Sequence, residues 1–561
     1  MPGVGVLRSY PREWLPKDVV AGLVLSALLV PQGMAYAELA GLPAITGLYT
    51  TVLCLVAYAL FGPSRNLVLG PDSSLGPMIA AAILPLAAGS ESQAVALAGM
   101  LAILVGALCF TAGLAKLGFV ADLLSRPVRV GYMAGLAVTI VVGQLPKLFG
   151  FSVEASGLFG ELAAFWQNLE STNVWALAIG VVDLLLIFIL KQRRSRIPGV
   201  LAAVIVSIAA VSLFDLTAQG VKVVGTLPQG FPRPSLPLID WSALPVLLAT
   251  AFGISLVAIG DTISTSVGFA ARRGDKVDSN QELIGIGSAN LLASMFQGFP
   301  VSTSGSRTAV AEQAGAKSQL TGLIAAAAVL LMLVLVPGLM RNLSQSALAA
   351  IVIMAAVSLF DLEQLRKLFA MRRPEFALAV IGAAGVAVFG VLEGIIIAVV
   401  LSIIQFFGRF WRPYSAVLGK PEGVEGFHDI TRYPDAARIP GLLIVRWDAP
   451  IFFANTNLFR QMVEDRIAEE SVKPHFVLIA AYSITDVDTT AAEMLTDLDN
   501  DLNADNIHLA FAALKDPVRD RIIQYGLLET IEKRHFFPTV EAAVQAFIDG
   551  HVASGKSSER P

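Results

Sequence analysis

Apolar stretches of membrane-spanning length recur from residue 19 to residue 410, and they constrain the fold more than any other feature of the chain. A helix needs about 20 apolar residues to cross the hydrocarbon core of a bilayer. The chain is 55% hydrophobic and only 15% charged, whereas soluble globular chains carry about 25% charged residues. Disordered, collagen-like and coiled-coil structures are therefore excluded, and most of the chain is expected to lie in lipid.

The pattern predicts an α-helical polytopic membrane protein with fourteen segments. Their approximate cores are residues 19–38, 45–62, 72–88, 94–114, 128–146, 172–190, 198–214, 243–270, 281–297, 302–313, 318–340, 346–360, 375–390 and 392–408. With the N-terminus inside, 21 Lys and Arg fall in the inside connections and 4 in the outside ones. Because basic residues stay on the cytoplasmic side, both termini are expected to be cytoplasmic. The absence of a cleavable signal pattern favours a bacterial inner membrane.

A second part with different chemistry begins near residue 415. Residues 1–419 carry a formal charge of +5 and residues 420–561 one of −9, and all five histidines lie in the second part. Apolar runs at 441–447, 475–481 and 507–513 read as strands, and residues 456–470, 489–503, 516–525 and 539–548 read as amphipathic helices. This alternation predicts a small α/β domain. The predicted organisation is a cytoplasmic N-terminus (1–18), a transport domain (19–412), a linker (413–430), the α/β domain (431–550) and a tail (551–561).

Two apolar segments are interrupted by glycine, proline and hydroxyl residues. They are residues 70–77, with sequence GPDSSLGP, and residues 298–307, with sequence GFPVSTSGSR. They fall in the third and tenth segments, seven apart. Interrupted segments at corresponding positions of two halves point to the binding site of an inverted-repeat transporter.

Asp261 and Arg307 are the ionisable residues that stand out at membrane depth, where such groups are functional by default. Thr265 lies four residues after Asp261, on the same helix face, so the pair could bind Na⁺ through oxygens, or the carboxyl could bind a proton. Arg307 could hold an oxyanion or neutralise Asp261. The alternative is a purely structural role for each residue.

Other candidates are less specific. Asp72 could bind substrate or act as a helix N-cap. Gln32 and Tyr36 could present an amide and an aromatic ring on one face, or simply pack in the core. Asp183 is also intramembrane and could make a structural hydrogen bond or have a functional role.

The sequence disfavours several classes of function. Cys54 and Cys109 both lie in apolar runs, so neither a disulfide framework nor a thiolate metal site is expected. No Walker A motif, Ser–His arrangement or metal-ligand cluster is present. We therefore expect neither an enzyme nor a cofactor, a metal or a nucleic-acid partner. Because residues 1–419 contain no histidine, any proton coupling there must use carboxyl groups.

Five sequence elements resemble the sulfate permease (SulP) family, which includes sulfate carriers, cyanobacterial bicarbonate carriers and animal anion exchangers. They are residues 31–37 (PQGMAYA), 41–43 (GLP) with 47–49 (GLY), 70–71 (GP), 280–283 (NQEL) with 289–290 (AN), and 297–300 (QGFP) with 306–308 (SRT). The resemblance covers residues 15–550, and the C-terminal part resembles the family's STAS domain.

The resemblance implies two inverted seven-helix repeats, in which segments 1–4 and 8–11 form a core that moves against a gate of the other segments. The anion would lie between the facing N-termini of segments 3 and 10. The implied substrate-binding residues are Gln32, Tyr36, Asp72, Ser306 and Arg307, and we add the neighbouring hydroxyls of Ser73 and Ser304. The family also implies a homodimer.

Asp261 matches the family's acidic residue in segment 8. This acid faces an arginine in plant-type carriers, which are associated with proton coupling, and binds Na⁺ with a threonine in the bicarbonate carrier. The chain has both Thr265 and Arg307. We favour H⁺-coupled uptake of sulfate, because Arg307 near Asp261 would repel Na⁺. Na⁺-coupled transport of bicarbonate or a C4-dicarboxylate stays open, as does an uncoupled channel or a STAS-linked sensor.

Thr489 is the regulatory candidate. It lies in the loop that carries a phosphorylatable motif in related regulatory domains, and the plainer interpretation is a helix N-cap formed by Asp488 or Thr489.

Overall fold

The computed structural model describes residues 2–3, 5, 10–119, 126–153, 155, 157–193, 198–231, 234, 243–272 and 274–550. The predicted tail, residues 551–561, lies outside the described residues. The chain divides into two compact units, residues 1–402 and 403–561.

Each of the fourteen predicted segments contains a helix, and two further short helices, α6 and α14, lie between them. The helices are α1 (Leu15–Leu39), α2 (Ala44–Phe61), α3 (Gly76–Ala87), α4 (Glu91–Leu114), α5 (Arg126–Leu148), α6 (Leu158–Gln167), α7 (Val174–Gln192), α8 (Gly199–Leu213), α9 (Leu244–Ala271), α10 (Ser279–Ser294), α11 (Gly305–Gln313), α12 (Leu320–Leu335), α13 (Gln345–Leu359), α14 (Leu362–Met371), α15 (Arg373–Phe389) and α16 (Val391–Trp411). Among the described residues, seven helices are long and apolar enough to cross a membrane, and α3, α8 and α12 are apolar but shorter.

The two interrupted segments meet through a pair of short antiparallel strands. Strand β1 (Leu69–Gly70) pairs with β2 (Ser302–Thr303), and the register places Leu69 opposite Thr303. Because these residues form a strand pair, α3 begins at Gly76 and α11 at Gly305, later than the predicted starts of 72 and 302. The strand pair thus brings the starts of α3 and α11 together.

The helices of the first unit pack in two groups. In one, α4 packs against α9 and α10, and α1 packs against α2 and α12. In the other, α5 packs against α13 and α15, and α7 packs against α8 and α13. Close approach of α4 and α10 needs a glycine, because a Cβ at Gly287 would lie 2.6 Å from the backbone nitrogen of Phe110. The groups correspond to the predicted core and gate.

The second unit contains a six-stranded sheet in the order β4-β3-β5-β6-β7-β8. The strands are β3 (Ser415–Gly419), β4 (His428–Asp429), β5 (Leu442–Trp447), β6 (Phe476–Ala480), β7 (His508–Ala512) and β8 (Phe536–Phe537). Strands β5 to β8 are parallel, while β3 runs antiparallel to both β4 and β5.

Helices cover both faces of this sheet. Helices α17 (Thr456–Ala468), α18 (Thr489–Ala504) and α19 (Asp516–Gln524) supply one core, and α20 (Val540–Ile548) supplies the other. The prediction that residues 413–430 form a linker is wrong in part, because this segment contains β3 and β4. Strand β4 is a two-residue edge strand, and β3, which pairs with both β4 and β5, spans only five residues, so neither gives a long apolar run in the sequence.

Candidate functional site

A cavity of about 960 Å³ opens between the two helix groups of the first unit. Eight of the residues proposed from the sequence line this one cavity: Gln32, Tyr36, Asp72, Ser73, Asp261, Thr265, Ser304 and Ser306. They come from α1, from the turn before α3, from α9 and from the start of α11, which are far apart in the chain. The cavity is large enough for a small anion and its ordered water.

The two sides of the cavity differ in polarity. The side formed by α1, α9 and the turns before α3 and α11 carries the amide, hydroxyl and carboxyl groups. The opposite side, from α5, α7, α8 and α13, is mainly apolar, with Met133, Ile187, Val200, Ile351 and Met354 among its residues. A solute bound in the cavity would therefore be held almost entirely by polar groups of one helix group.

Hydrogen bonds from side chains and backbone hold the start of α11 in place. The side chain of Asn290 on α10 accepts a hydrogen bond from the backbone nitrogen of Val301 at 2.9 Å. The hydroxyls of Thr262 on α9 and Thr303 in β2 are 2.9 Å apart. The backbone nitrogen of Ser304 donates to the carbonyl of Val68 at 3.1 Å. These contacts position the first turn of α11 at the cavity wall, and the positive end of a helix dipole favours an anion there.

Arg307 is paired with Asp72. Its Nη2 lies 3.5 Å from Asp72 Oδ2 and 3.5 Å from the carbonyl oxygen of Gly70. The Arg307 side chain is only 1% exposed and does not line the cavity, whereas that of Asp72 is 14% exposed and does. The expected pairing of Arg307 with Asp261 is not formed in the structure, because the β1–β2 pair carries Gly70 and Asp72 to the guanidinium.

Asp72 does not cap α3. The residue before the first helical position is Leu75, whose side chain makes no capping hydrogen bond. Instead Asp72 Oδ1 accepts hydrogen bonds from the backbone nitrogen of Ser74 at 3.0 Å and from its hydroxyl at 2.8 Å. This is an Asx turn, which leaves Oδ2 available to Arg307.

Asp261 and Thr265 both face the cavity, one turn apart on α9. The methyl group of Thr265 lies 4.0 Å from the position that a Cβ would occupy on Gly305, so Thr265 faces the start of α11. Gln32 lines the same wall, and its Oε1 is buried without a hydrogen-bond partner among the residues that the structure describes. A buried, unpartnered polar atom at a cavity wall has free capacity for water or a bound solute.

Two candidates lie elsewhere. Asp183 is 0% exposed on α7, and neither carboxyl oxygen has a hydrogen-bond partner in the described part of the chain, so the expected structural hydrogen bond is not formed. In the second unit, Thr489 is the exposed first residue of α18, and Asp488 provides the cap, accepting from Ala491 N at 2.8 Å.

Sequence reasoning missed Ser74 and Lys191 as cavity residues. Lys191 reads as an ordinary basic residue at the cytoplasmic end of a segment. Nothing in the sequence distinguishes it from the other members of its basic cluster, and its place at the cavity depends on the packing of α7 against α8 and α13.

Two regions of the chain match known protein families. The sulfate permease family profile matches residues 15–382, and the STAS domain profile matches residues 433–543. A probable sulfate transporter of Mycobacterium tuberculosis is 40% identical over 546 residues, which cover 97% of this chain and 98% of the relative. The chloroplastic sulfate transporter 4.1 of Arabidopsis thaliana is 30% identical, over 96% of this chain and 81% of the relative.

Solved structures with the same fold include the murine anion transporter Slc26a9 in its inward-facing state. That structure matches with a TM-score of 0.90 at 24% identity, over 97% of this chain and 93% of the other. The transmembrane domain of the cyanobacterial bicarbonate transporter BicA matches with a TM-score of 0.62 at 22% identity, over 70% of this chain and 97% of the other.

Proposed function

The chain belongs to the sulfate permease family, and from this premise we propose that it takes up sulfate together with protons as a secondary active transporter. Membership of a transporter family confirms the expectation that the chain is not an enzyme, and the fold confirms a multi-pass membrane protein. Sulfate is favoured because relatives that match nearly the whole chain are named sulfate transporters.

One observation carries the proposal, namely the cavity between the two helix groups. Hydroxyls of Ser73, Ser304 and Ser306 and the start of α11 line it, and Arg307 is paired with Asp72 in its wall. Oxyanions are bound by such donors, and a buried guanidinium adds a charge that hydroxyls lack. Because most of the polar groups belong to one helix group, that group would carry the anion past the mainly apolar gate in an elevator-like movement.

Asp261 is proposed as the coupling group. An ionised carboxylate in the cavity wall disfavours a nearby anion, and a bound proton removes that charge. Proton binding at Asp261 would therefore raise the affinity for the anion, and the same coupling lets the anion raise the affinity for the proton. Proton entry and anion entry become linked in this way without a direct bond between them.

Na⁺-coupled transport of bicarbonate or a C4-dicarboxylate is the second candidate. It is favoured by one observation, the presence of Asp261 and Thr265 one turn apart at the cavity, because a carboxylate and a hydroxyl are suitable oxygen ligands for Na⁺. A Thr265→Ala variant separates the two, since it removes a Na⁺ ligand but no proton site.

The remaining features of the proposal concern the cellular setting. We place the protein in the bacterial inner membrane with both termini in the cytoplasm, on the strength of the positive charge in the inside connections. A homodimer is proposed from family membership. Regulation through Thr489 is proposed because the hydroxyl is exposed at a helix start, where a phosphate is electrostatically favoured.

The test is uptake of radiolabelled sulfate into proteoliposomes under an inward H⁺ or Na⁺ gradient. We expect accumulation with the H⁺ gradient for the unmodified protein and its loss in Asp261→Asn. Asp215→Asn is the matched control, because Asp215 is exposed and outside the cavity, and its φ of 44° suits asparagine. Bicarbonate uptake that requires Na⁺, with no sulfate uptake, would favour the second candidate, and failure of any gradient to concentrate substrate would favour a channel or sensor.

A further inference from the structure

Asp72 lies between the cavity and Arg307. Its carboxylate lines the cavity, while the guanidinium, 3.5 Å away, is 1% exposed and lies behind it. An anion that enters the cavity therefore meets a negative carboxylate before it meets the positive charge.

Arg307 has unused hydrogen-bonding capacity. Its Nε and Nη1 are buried and have no hydrogen-bond partner in the described part of the chain. Asp72 is the single acidic residue within ion-pair distance of it among those described. Burying a donor without a hydrogen-bond partner costs free energy. The guanidinium can therefore donate to more acceptor atoms than Asp72 offers.

We propose that Asp72 is a second proton-binding group, which takes up a proton when an oxyanion binds to Arg307. The inference rests on the proposed anion substrate and goes beyond the role assigned to Asp261. With Asp72 ionised, bound sulfate would place three negative charges against the single charge of the Arg307 guanidinium. With Asp72 protonated and no anion, the buried guanidinium would lose its counter-charge, which is strongly unfavourable. Proton and anion therefore bind together and reinforce each other.

Charged groups of both signs surround Asp72. Apart from Arg307, the titratable groups near it are Tyr36 on α1, Asp261 on α9, Arg129 and Tyr132 on α5, and Lys191 across the cavity on α7. Helix α4, which also packs against α3, contributes Cys109 on its buried face and Glu91 in its first turn. Asp261 adds a second negative charge to the same cavity, so a divalent oxyanion would enter most readily when both carboxyls are protonated.

The consequence is a proton count. If Asp72 and Asp261 both take up a proton, sulfate binding consumes about two protons per anion, and sulfate affinity rises by up to about a hundredfold per unit of falling pH. Either carboxyl alone would give about one proton and a tenfold rise.

The experiment measures sulfate binding to the purified full-length protein by titration calorimetry at several pH values, in buffers of different ionisation enthalpy. The variants are Asp72→Asn, Asp261→Asn and the exposed control Asp215→Asn. Asparagine at position 72 retains an oxygen that can accept from Ser74, so the turn is kept. A thermal-unfolding scan checks folding, and we expect sulfate to stabilise Asp72→Asn more than the unmodified protein, because this variant leaves Arg307 without a counter-charge.

The expected result is that Asp72→Asn still binds sulfate, with about one proton fewer per anion and a shallower pH dependence, while Asp215→Asn behaves as the unmodified protein. If Asp72→Asn takes up as many protons per sulfate as the unmodified protein, the inference is wrong. Asp72 would then stay ionised when sulfate binds, or would have only a structural role. This measurement needs no ion gradient. Suppose that uptake is driven by protons and is lost in Asp261→Asn, but the number of protons taken up per sulfate is unchanged in Asp72→Asn. In that case only the inference about Asp72 fails. If no H⁺ gradient drives uptake, the proposed function fails on its own.

Discussion

Arg307 lies so close to Gly70 that no other residue fits at position 70 without displacement. A Cβ on Gly70 would lie 2.7 Å from Arg307 Nη1. The guanidinium therefore depends on a glycine in β1, in the other half of the repeat, and the two interrupted segments are matched to each other at this contact.

Gly70→Ala is expected to displace the guanidinium from Asp72 and to weaken sulfate binding. Overpacking of this kind costs about 1–3 kcal/mol, and each 1.4 kcal/mol lost from binding lowers the affinity about tenfold. Thermal unfolding and sulfate titration measure both effects. Gly268→Ala is the matched control, because it lies in α9 with nothing within 4 Å and should be neutral or slightly stabilising. Unchanged sulfate affinity in Gly70→Ala would show that the guanidinium position does not govern binding.

Asp18 connects the first helix to the start of α12. It is 0% exposed and accepts hydrogen bonds from Lys317 N at 2.6 Å and from Thr321 Oγ1 at 2.9 Å. We expect Asp18→Ala to lower the free energy of unfolding by at least about 2–4 kcal/mol, because several buried donors lose their charged acceptor. Asp18→Asn should be intermediate and the exposed Lys17→Ala within about 0.5 kcal/mol of the unmodified protein. Thermal unfolding in detergent is the measurement. Equal unfolding midpoints for all three variants would contradict this prediction.

The buried Asp183 is expected to lower the free energy of unfolding. Its carboxyl is buried and unpartnered, so Asp183→Leu should stabilise the protein by about 1–3 kcal/mol, and Asp183→Asn should stabilise it less because the amide also lacks a partner. The measurement is the unfolding midpoint, with sulfate uptake as the parallel assay. Loss of uptake in a stable Asp183→Leu protein would instead assign Asp183 a role in transport.

Variants of Thr489 and Asp488 should separate an effect on regulation from an effect on folding. Asp488→Ala removes the cap of α18 and is expected to cost about 1 kcal/mol. Thr489→Ala should leave stability within about 0.5 kcal/mol, since the side chain is exposed. Thr489→Glu places a negative charge at the helix start, as phosphorylation would. If uptake is the same in Thr489→Ala, Thr489→Glu and the unmodified protein, the proposed regulation is wrong.

His535 should make the second unit sensitive to acid. Burial lowers the pKa of its imidazole from 6.5 to about 4. The folded unit keeps the ring neutral while the unfolded chain binds a proton near pH 6.5. The stabilisation is therefore complete above that pH and is lost as the pH falls towards 4, by roughly 2–3 kcal/mol.

Replacing His535 by phenylalanine should remove this part of the pH dependence and keep the edge-on packing against Phe476. Hydrogen exchange of the β7 amides in the full-length protein, corrected for intrinsic rates, is the measurement, and the exposed His475→Phe is the control. An acid-induced loss of protection that is the same in His535→Phe and in the unmodified protein would contradict the assignment.

The candidate site was predictable in its membership but not in its pairing. Asp261, Asp72 and Arg307 stand out in the sequence because charged residues are rare in lipid. The sequence favoured Arg307 with Asp261, whereas the structure pairs it with Asp72. An arginine side chain is long, so its sequence position leaves the location of the guanidinium open.

Local composition by itself determined the fourteen segments, the two interrupted ones and the main strands and helices of the second part. The reason is that the cost of placing polar groups in lipid, and the period of an amphipathic element, act on neighbouring residues. Only the tertiary structure decided which charges meet at the cavity. The pairing of β1 with β2 is made by backbone hydrogen bonds between residues more than two hundred positions apart, and backbone groups are the same in every residue. The short strands β3 and β4 were not predicted from the sequence for a related reason, because short strands take their stability from neighbours that composition does not reveal.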